Sequence, residues 1–373
     1  MSLKCRLTTA VLVWLAFAGL AQAQIRIGQT AGHTGTVAAS VRETTDGARL
    51  YFNAINSKGG IAGQKIELVV LDDKFDVKLA EANARTLINQ GVIALFLTRG
   101  TPHNQAIMPL LTEYRVPLVG PSTGAMLLHE PVHPWLFNVR ATYQREAERS
   151  VKHLTQTGVQ RIALVQVDDS FGADAARGAL RGFEIGKMPV LHEKYDRAAP
   201  DFGPMMPRIL AADAQAVIFI GSGTAVVDGM KALRVSGSRA QMLTLSNNAS
   251  AGFAKSLGDL GRGVIVSQVF PPERSVGIAM IKEAHELARP LGQAAPEITP
   301  ALLEGFASAK VLVEGLRRAA AAKDLSRSGL QKALESMKHY DLGGLELSYS
   351  PTDHTGLDYA DLSIIGADGR FRR

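Results

Sequence analysis

Cysteine and aromatic residues are scarce in this sequence of 373 residues. It contains one cysteine, and aromatic side chains make up 6% of it. A single cysteine excludes a disulfide framework and a zinc module built from cysteines. Hydrophobic residues make up 46% and charged residues 20%, which is typical of a folded globular protein and excludes a disordered chain.

Clusters of basic residues are also lacking, although 41 Lys and Arg against 35 Asp and Glu give a formal net charge of +6. No run of four or more Lys or Arg occurs, and the densest basic stretch is the C-terminal Arg370, Arg372 and Arg373. Dispersed charge is typical of a solvated surface. We therefore expect no nucleic-acid partner.

The longest apolar run lies near the N-terminus, at residues 10–20. Lys4 and Arg6 precede it, and the small-x-small sequence 21–23 follows it, which together predict a secretory signal peptide over residues 1–23. The run is shorter than the roughly 20 apolar residues of a membrane-spanning helix. Cleavage after Ala23 would remove Cys5, so we expect a cysteine-free exported protein.

Short apolar segments alternate with amphipathic ones along the rest of the chain. Strands are predicted at residues 25–28, 65–71, 92–97, 116–119, 161–167, 190–194, 216–220, 242–245, 263–268, 345–348 and 359–365. Helices are predicted at residues 40–57, 77–89, 103–114, 143–156, 172–185, 202–212, 225–235, 277–289 and 300–321. Two series of similar size predict an α/β protein with two doubly wound, Rossmann-like lobes.

Five segments of the sequence, in this order, form a recognisable combination of motifs. They are Thr34-Gly35, the Asn-Ser-Lys-Gly-Gly-Ile-Ala-Gly-Gln-Lys sequence at 56–65, Leu71-Asp72-Asp73, the Val-Pro-Leu-Val-Gly-Pro-Ser sequence at 116–122, and Asp168-Asp169-Ser170-Phe171-Gly172. Behind a signal peptide, this combination resembles the periplasmic solute-binding proteins of the branched-chain amino acid (Leu/Ile/Val) type, which have the type I fold. The resemblance covers nearly all of the chain after residue 23.

The resemblance implies two lobes joined by three hinge crossings, near Arg140, Phe270 and Leu345. One lobe would comprise residues 24–140 with 270–345, and the other residues 141–269 with 346–373. It further implies a monomeric, periplasmic, non-enzymatic protein that closes its lobes on a small molecule and delivers it to the inner-membrane permease of an ABC importer. A sensory receptor of the same fold is the alternative that the residues leave open.

Two loops between a strand and a helix are expected to hold the ligand carboxylate. By position in the family, Thr101 in one loop and Ser122, Thr123 and Gly124 in the other would do so. Ser and Thr are also good helix caps, so capping is the competing interpretation. Phe171 stands where the family usually has a tyrosine against the ligand, and packing in the core is its alternative role.

The remaining candidates belong to the second lobe. Ser222 and Gly223 lie in a loop that offers only small groups, which predicts a wider pocket on that side, and Ser222 could equally cap the next helix. Asn247 lies in a Ser-Asn-Asn sequence where amino-acid binders of the family commonly place an acid. Because a buried ammonium without a counter-ion is costly, the neutral amides favour a carboxylate without an amine, or an amide. Asp259 or Glu273 could approach the ligand instead. His33, in the loop after the first strand, could line the cleft or compensate a carboxylate, and a solvated side chain is its alternative role.

Other chemistry is weakly indicated. The Gly-x-Ser-x-Gly sequence at 120–124, with Asp353-His354 downstream, could belong to a serine hydrolase acting through Ser122, but the motif is short and common by chance. His129 and His133 flank Pro131, which breaks the helix that a metal pair needs, so we expect two exposed loop histidines. The Gly-Ser-Gly at 221–223 lacks the third glycine of a dinucleotide motif, so no cofactor is expected.

Overall fold

A computed structural model describes residues 24–373, and the predicted signal peptide lies outside these residues. The strands are β1 (Gln24–Ala31), β2 (Lys65–Asp72), β3 (Ala94–Phe96), β4 (Leu118–Val119), β5 (Leu136–Phe137), β6 (Ile162–Val167), β7 (Leu191–Tyr195), β8 (Ala216–Ile220), β9 (Gln241–Thr244), β10 (Ile265–Gln268), β11 (Tyr340–Asp341), β12 (Glu346–Leu347), β13 (Asp361–Ile365) and β14 (Phe371–Arg372). The helices are α1 (Ala38–Ser57), α2 (Val77–Asn89), α3 (Thr101–Tyr114), α4 (Tyr143–Gln156), α5 (Ser170–Gly182), α6 (Met206–Ala211), α7 (Thr224–Val235), α8 (Ala251–Leu257), α9 (Ala279–Ala288), α10 (Pro300–Ala321) and α11 (Arg327–Glu335).

Twelve of these strands form two doubly wound sheets, which confirms the predicted α/β architecture of two lobes, and β11 and β12 pair separately as an antiparallel ribbon. The first has five parallel strands in the order β2-β1-β3-β4-β5. The second has seven in the order β14-β13-β10-β9-β8-β6-β7, and only β13 and β14 run antiparallel to their neighbours. The strand order reverses at β1 and at β6. In such sheets ligands bind beyond the carboxyl ends of the strands at these reversals.

Side-chain caps fix the beginnings of several helices. Thr142 accepts a hydrogen bond from the N–H of Arg145 at the start of α4, and Thr299 accepts one from Leu302 at the start of α10. Asp169 accepts from the first turn of α5. Each cap satisfies backbone N–H groups that have no partner within the helix. These helix starts lie where the loops of the two lobes meet.

The chain passes between the two sheets three times, in segments 138–142, 269–278 and 348–360. The first and third segments are bonded to each other: the N–H of Asn138 donates to the carbonyl of His354 (3.0 Å), and the N–H of Leu357 donates to that of Val139 (3.0 Å). The residue boundaries predicted for the lobes stay predictions. Within residues 24–373, none of the helices combines the length and the apolar character that crossing a lipid bilayer requires.

One predicted helix is wrong in its form. Residues 202–212 begin as a 3-10 turn over Gly203–Met205 and become α-helical only over Met206–Ala211. Pro204 and Pro207 explain this, because a proline lacks the backbone N–H that an uninterrupted helix needs after its first turn.

Candidate functional site

Loops from both lobes converge at the carboxyl ends of the strands. The first lobe contributes the segments after β1, β3 and β4, and the second contributes those after β6, β8 and β9. The lobes are in contact there: the N–H of Thr224 donates to the carbonyl of Thr36 (3.2 Å). The candidate site is the space between these loops.

Arg99 lies at the centre of this site, and sequence reasoning missed it. Its side chain comes from the segment between β3 and α3, is only 3% exposed, and donates to Ser122 Oγ (2.9 Å), Ser40 Oγ (3.3 Å) and the carbonyl of Asn247 (2.6 Å). Two of these acceptors are in the first lobe and one is in the second, so the guanidinium bridges the cleft. Its one sequence signal was an isolated charge in the Thr-Arg-Gly-Thr sequence at 98–101.

All three partners of Arg99 are neutral. Among the residues that the structure describes, no Asp or Glu oxygen lies within 4.0 Å of its side chain. Burial lowers the pKa of Arg99, because removal from water penalises the charged form. A buried cation held only by hydroxyl and carbonyl oxygens is a favourable partner for an anion.

The neighbouring Arg140 differs because it has counter-ions of its own. It forms an ion pair with Glu146, donates to Ser246 Oγ (2.6 Å) and lies 3.7 Å from Glu304. Burial opposes its charged form, but the two carboxylates outweigh burial and raise the pKa of Arg140. Glu304 also accepts the hydroxyl hydrogen of Ser122 (2.7 Å). The two carboxylates are therefore already engaged.

The four residues expected to hold a carboxylate have different roles, and Ser122 is the one hydrogen-bonded to Arg99. Thr101 Oγ1 and Thr123 Oγ1 are hydrogen-bonded to each other at 2.7 Å. Ser122 bridges Arg99 to a glutamate, so its own hydrogen is not free. The carbonyl of Gly124 accepts from the N–H of Tyr143 (2.7 Å), which ties this loop to the start of α4.

Phe171 is buried and packs on Tyr143, with their ring centres 4.6 Å apart. The ring of Tyr143 in turn lies beneath the guanidinium of Arg140, 4.6 Å from its centroid. Phe171 thus supports the charged network from the second lobe, through Tyr143.

The loop after β9 carries an amide with an unused acceptor. Asn247 Nδ2 donates to the carbonyl of Gly221 (2.9 Å) and to Ser222 Oγ (3.1 Å), while its Oδ1 is buried without a partner in the described part of the chain. The adjacent Asn248 is different: its Oδ1 accepts from the N–H of Gly223 (2.8 Å). Ser222 and Gly223 are therefore hydrogen-bonded to the two asparagines of this loop.

Space for a ligand adjoins Ser222. A cavity of about 240 Å³ is bounded there by Thr36, Phe75, Tyr195 and Arg197, among others. Phe75 belongs to the first lobe and Arg197 to the second. The guanidinium carbon of Arg197 lies 5.1 Å from the centre of the Phe75 ring. The cavity therefore lies between the lobes and has both apolar and polar walls.

The other residues singled out in the sequence lie apart from this centre. Asp259 is exposed, and Glu273 lines a separate surface cavity. His33 is half-buried in the loop after β1, and burial lowers its pKa. His354 donates from Nδ1 to the carbonyl of Leu136 (2.8 Å) in the crossing segments and stacks on a phenylalanine.

The expectation of two exposed loop histidines is wrong. His129 is buried, with 3% of its surface exposed, and burial lowers its pKa to about 4. His133 is half-buried and lies 3.0 Å from Thr112 Oγ1. Pro131 prevents a helix between them, but the loop folds inward all the same. Residues 24–373 contain no group of three or more His, Cys, Asp or Glu side chains positioned to hold a metal ion.

The chain is similar to known proteins over most of its length. The periplasmic binding protein family matches residues 24–366. The Leu/Ile/Val-binding protein of Escherichia coli K12 is 22% identical over 271 residues, which cover 72% of this chain and 74% of that protein. The leucine-specific-binding protein of Salmonella typhimurium is 22% identical over 357 residues, covering 93% and 95% of the two chains.

A solved structure extends the likeness to three dimensions. The substrate-binding periplasmic protein of Ralstonia solanacearum superposes with a TM-score of 0.85 at 30% identity. The superposition covers 93% of this chain and 99% of that one.

Proposed function

Because the chain belongs to the periplasmic binding protein family and is a solute-binding protein of the Leu/Ile/Val type, we propose that it captures a small carboxylate-bearing solute between its lobes. It then delivers the solute to the permease of an ABC importer. The predicted signal peptide would direct export and then be removed, and the periplasm is the compartment that the name of the matching family indicates.

The observation that carries this proposal is the buried guanidinium of Arg99. Its hydrogen-bond partners are two serine hydroxyls and a backbone carbonyl, all neutral. A carboxylate that accepts from Arg99 would supply the missing counter-charge, and bonds between a guanidinium and a carboxylate are short and strong. The carbonyl of Asn247 would then exchange its place at Nη2 with a ligand oxygen.

The surrounding residues have defined roles in this proposal. Ser40 and Ser122 hold the guanidinium in place, and the hydrogen-bonded pair of Thr101 and Thr123 packs the loops behind it. The body of the solute occupies the cavity of about 240 Å³ beside Ser222. Clefts with mainly apolar walls and a few fixed polar groups are typical of sites for small molecules.

Closure of the lobes would couple binding to recognition by the permease. The carboxylate of Glu43 in α1 accepts hydrogen bonds from the N–H groups of Ala251 (3.0 Å) and Gly252 (2.9 Å) at the start of α8. These bonds exist only when the lobes touch. Hinge motion about a few crossing segments is the usual way in which two domains close on a ligand.

A thermal-shift screen of the purified protein tests the proposal. The set contains aliphatic and aromatic acids, their amides, and the matching amines without a carboxylate. At a concentration of 100 Kd the ligand should stabilise the protein by about 2.7 kcal/mol. We expect stabilisation by acids in the wild type, loss of it in Arg99→Gln, and retention in Arg49→Gln, an exposed arginine of α1.

Two results would overturn the carboxylate site. One is stabilisation by amines or amides alone. The other is equal stabilisation of the wild type and Arg99→Gln by the same acid.

A further inference from the structure

The unpartnered oxygen of Asn247 is oriented by its neighbours. Its Nδ2 lies 2.9 Å from the carbonyl of Gly221, which can only accept a hydrogen bond. The amide therefore cannot be turned around without placing two acceptors face to face. The residue is 2% exposed, and Oδ1 has no partner among the residues that the structure describes. A buried acceptor left unused costs about 1–3 kcal/mol, so a missing donor is indicated.

The missing donor belongs beside the carboxylate of the solute. The backbone carbonyl of Asn247 lies 2.6 Å from Arg99 Nη2, and its side-chain amide lies 3.1 Å from the hydroxyl of Ser222, which borders the cavity between the lobes. Asn247 therefore lies between Arg99 and the cavity, and a solute whose carboxylate binds Arg99 and whose body enters the cavity passes its side chain. The group on the carbon next to the carboxylate would then meet the amide oxygen.

The charges around this position disfavour an ammonium group. The nearest cation is Arg99, which has no ion-pair partner within residues 24–373. Glu146 and Glu304, the carboxylates beside Arg140, are already engaged by Arg140, Ser122 and Ser246. Asp228, on the wall of the cavity, is exposed to water and so is not a buried counter-ion. An amide oxygen can accept a hydrogen bond, but it cannot neutralise a buried ammonium. A hydroxyl group supplies the donor without a charge.

We propose that the solute is a 2-hydroxy carboxylic acid, whose hydroxyl group donates to Asn247 Oδ1 while its carboxylate binds Arg99. This inference rests on the proposed function and narrows it to one class of acid. Asn247 would then be the residue that distinguishes a hydroxyl from an ammonium group at the 2-position of the solute. Asn248, whose oxygen already accepts from Gly223, has no such part.

Calorimetric titration of the wild-type protein with matched acids tests the inference. Each set has one carbon skeleton and three substituents at the 2-position: hydroxyl, ammonium or hydrogen. Three skeletons are used, those of propanoate, 4-methylpentanoate and 3-phenylpropanoate, because the size of the solute body is a separate question. In the best-bound skeleton we expect the hydroxy acid to bind about 5- to 150-fold more tightly than the unsubstituted acid.

The outcomes separate the inference from the proposed function. Equal affinity of the hydroxy and unsubstituted acids, or tightest binding of the amino acid, would refute the inference and leave the carboxylate site standing. Failure of every acid in all three sets would instead refute the carboxylate site itself, and the inference with it.

A charge-swap variant adds a second readout. Asn247→Asp places a carboxylate at the same position and should shift the ratio of amino-acid to hydroxy-acid affinity at least tenfold towards the amino acid. The matched control is Asn248→Asp, which makes the same change in charge in the same loop and should leave the ratio within about twofold. An unchanged ratio in a folded Asn247→Asp variant would contradict the role of this residue.

Discussion

Arg99 is buried without a counter-ion, which is energetically costly, and its proposed role in binding an anion follows from this cost. Removing one partner of a buried charge pair usually costs about 2–5 kcal/mol of binding free energy. We therefore expect Arg99→Gln to weaken carboxylate binding by that amount. The affinity of Arg99→Lys should lie between those of the wild type and Arg99→Gln. Lysine keeps the charge, but its ammonium group cannot donate to several acceptors in the planar geometry of a guanidinium. Titration calorimetry measures both, and equal affinity of lysine and arginine would contradict the fork geometry.

A second buried charge makes stability depend on pH. Asp73 is fully buried, and burial raises its pKa to about 6 although Phe75 N–H and Thr30 donate to it. The unfolded chain has an ordinary, lower pKa. Between the two values the folded state binds more protons, so this group's contribution to the free energy of unfolding rises as pH falls from 7 to 4.

The variant Asp73→Asn removes that titration. At pH 7–8, where Asp73 of the wild type is ionised, the free energy of unfolding of the variant, measured in urea, should equal or exceed that of the wild type. Relative to wild type it should then lose on the order of 2–3 kcal/mol by pH 4. Two curves that stay parallel over this range would show that Asp73 is not the group responsible.

For single residues, the sequence predicted which polar side chains belong to the candidate site better than it predicted their contacts. It indicated a neutral second-lobe loop at Asn247 and polar loops at Thr101 and Ser122, and the structure gathers these three around one centre. It could not indicate Arg99, because its partner Asn247 is 148 positions away and burial depends on both lobes. His129 was missed for the same reason: a Pro-containing loop is expected to be exposed, and tertiary packing buried it.

The helices α1 and α10 approach so closely that two glycines are required. A Cβ on Gly47 would lie 2.0 Å from the carbonyl oxygen of Leu302, and one on Gly305 would lie 1.7 Å from that of Thr44. Both are helical positions, where alanine is ordinarily better by about 1 kcal/mol. Here the contact reverses the sign, because overpacking forces the helices apart.

Gly305→Ala should therefore lower the free energy of unfolding by about 1–3 kcal/mol or more. Gly277→Ala serves as the control, since a Cβ there meets nothing within 4 Å and the change should stay within about 0.5 kcal/mol. Urea unfolding of the two variants measures the difference. A Gly305→Ala protein as stable as the control would contradict the close approach of the helices.

Elements with a strong period were predicted closely, and short ones were not. The helices Val77–Asn89, Tyr143–Gln156 and Pro300–Ala321 begin and end where the sequence predicted them. Strand β5 was missed because two residues carry no readable alternation. Helix α8 was missed because its seven residues span only two turns.

For the whole molecule, the proposed closure of the lobes can be tested at the contact between Gly223 and Thr36. Gly223 has a φ of +57°, and a Cβ on it would lie 1.9 Å from the carbonyl oxygen of Thr36 in the opposite lobe. Gly223→Ala should therefore hold the lobes apart and weaken solute binding at least tenfold. Gly258→Ala is a matched control in the same lobe, with a φ of +58° and nothing within 4 Å of the added carbon.

Small-angle X-ray scattering measures the closure itself. We expect the solute to reduce the radius of gyration of the wild type and of Gly258→Ala, but not of Gly223→Ala. Because both variants place alanine at a nearly identical φ, backbone strain alone cannot separate them. The same reduction in all three proteins would show that closure does not require the Gly223–Thr36 contact.

The most direct measurement of the central claim is a crystal structure with the acid that stabilises the protein most. We predict a ligand between the lobes whose carboxylate oxygens lie about 2.7–2.9 Å from Arg99 nitrogens, in place of the Asn247 carbonyl. A structure in which Arg99 still holds Asn247 while the carboxylate binds elsewhere would contradict the proposal that Arg99 is the anion-binding centre.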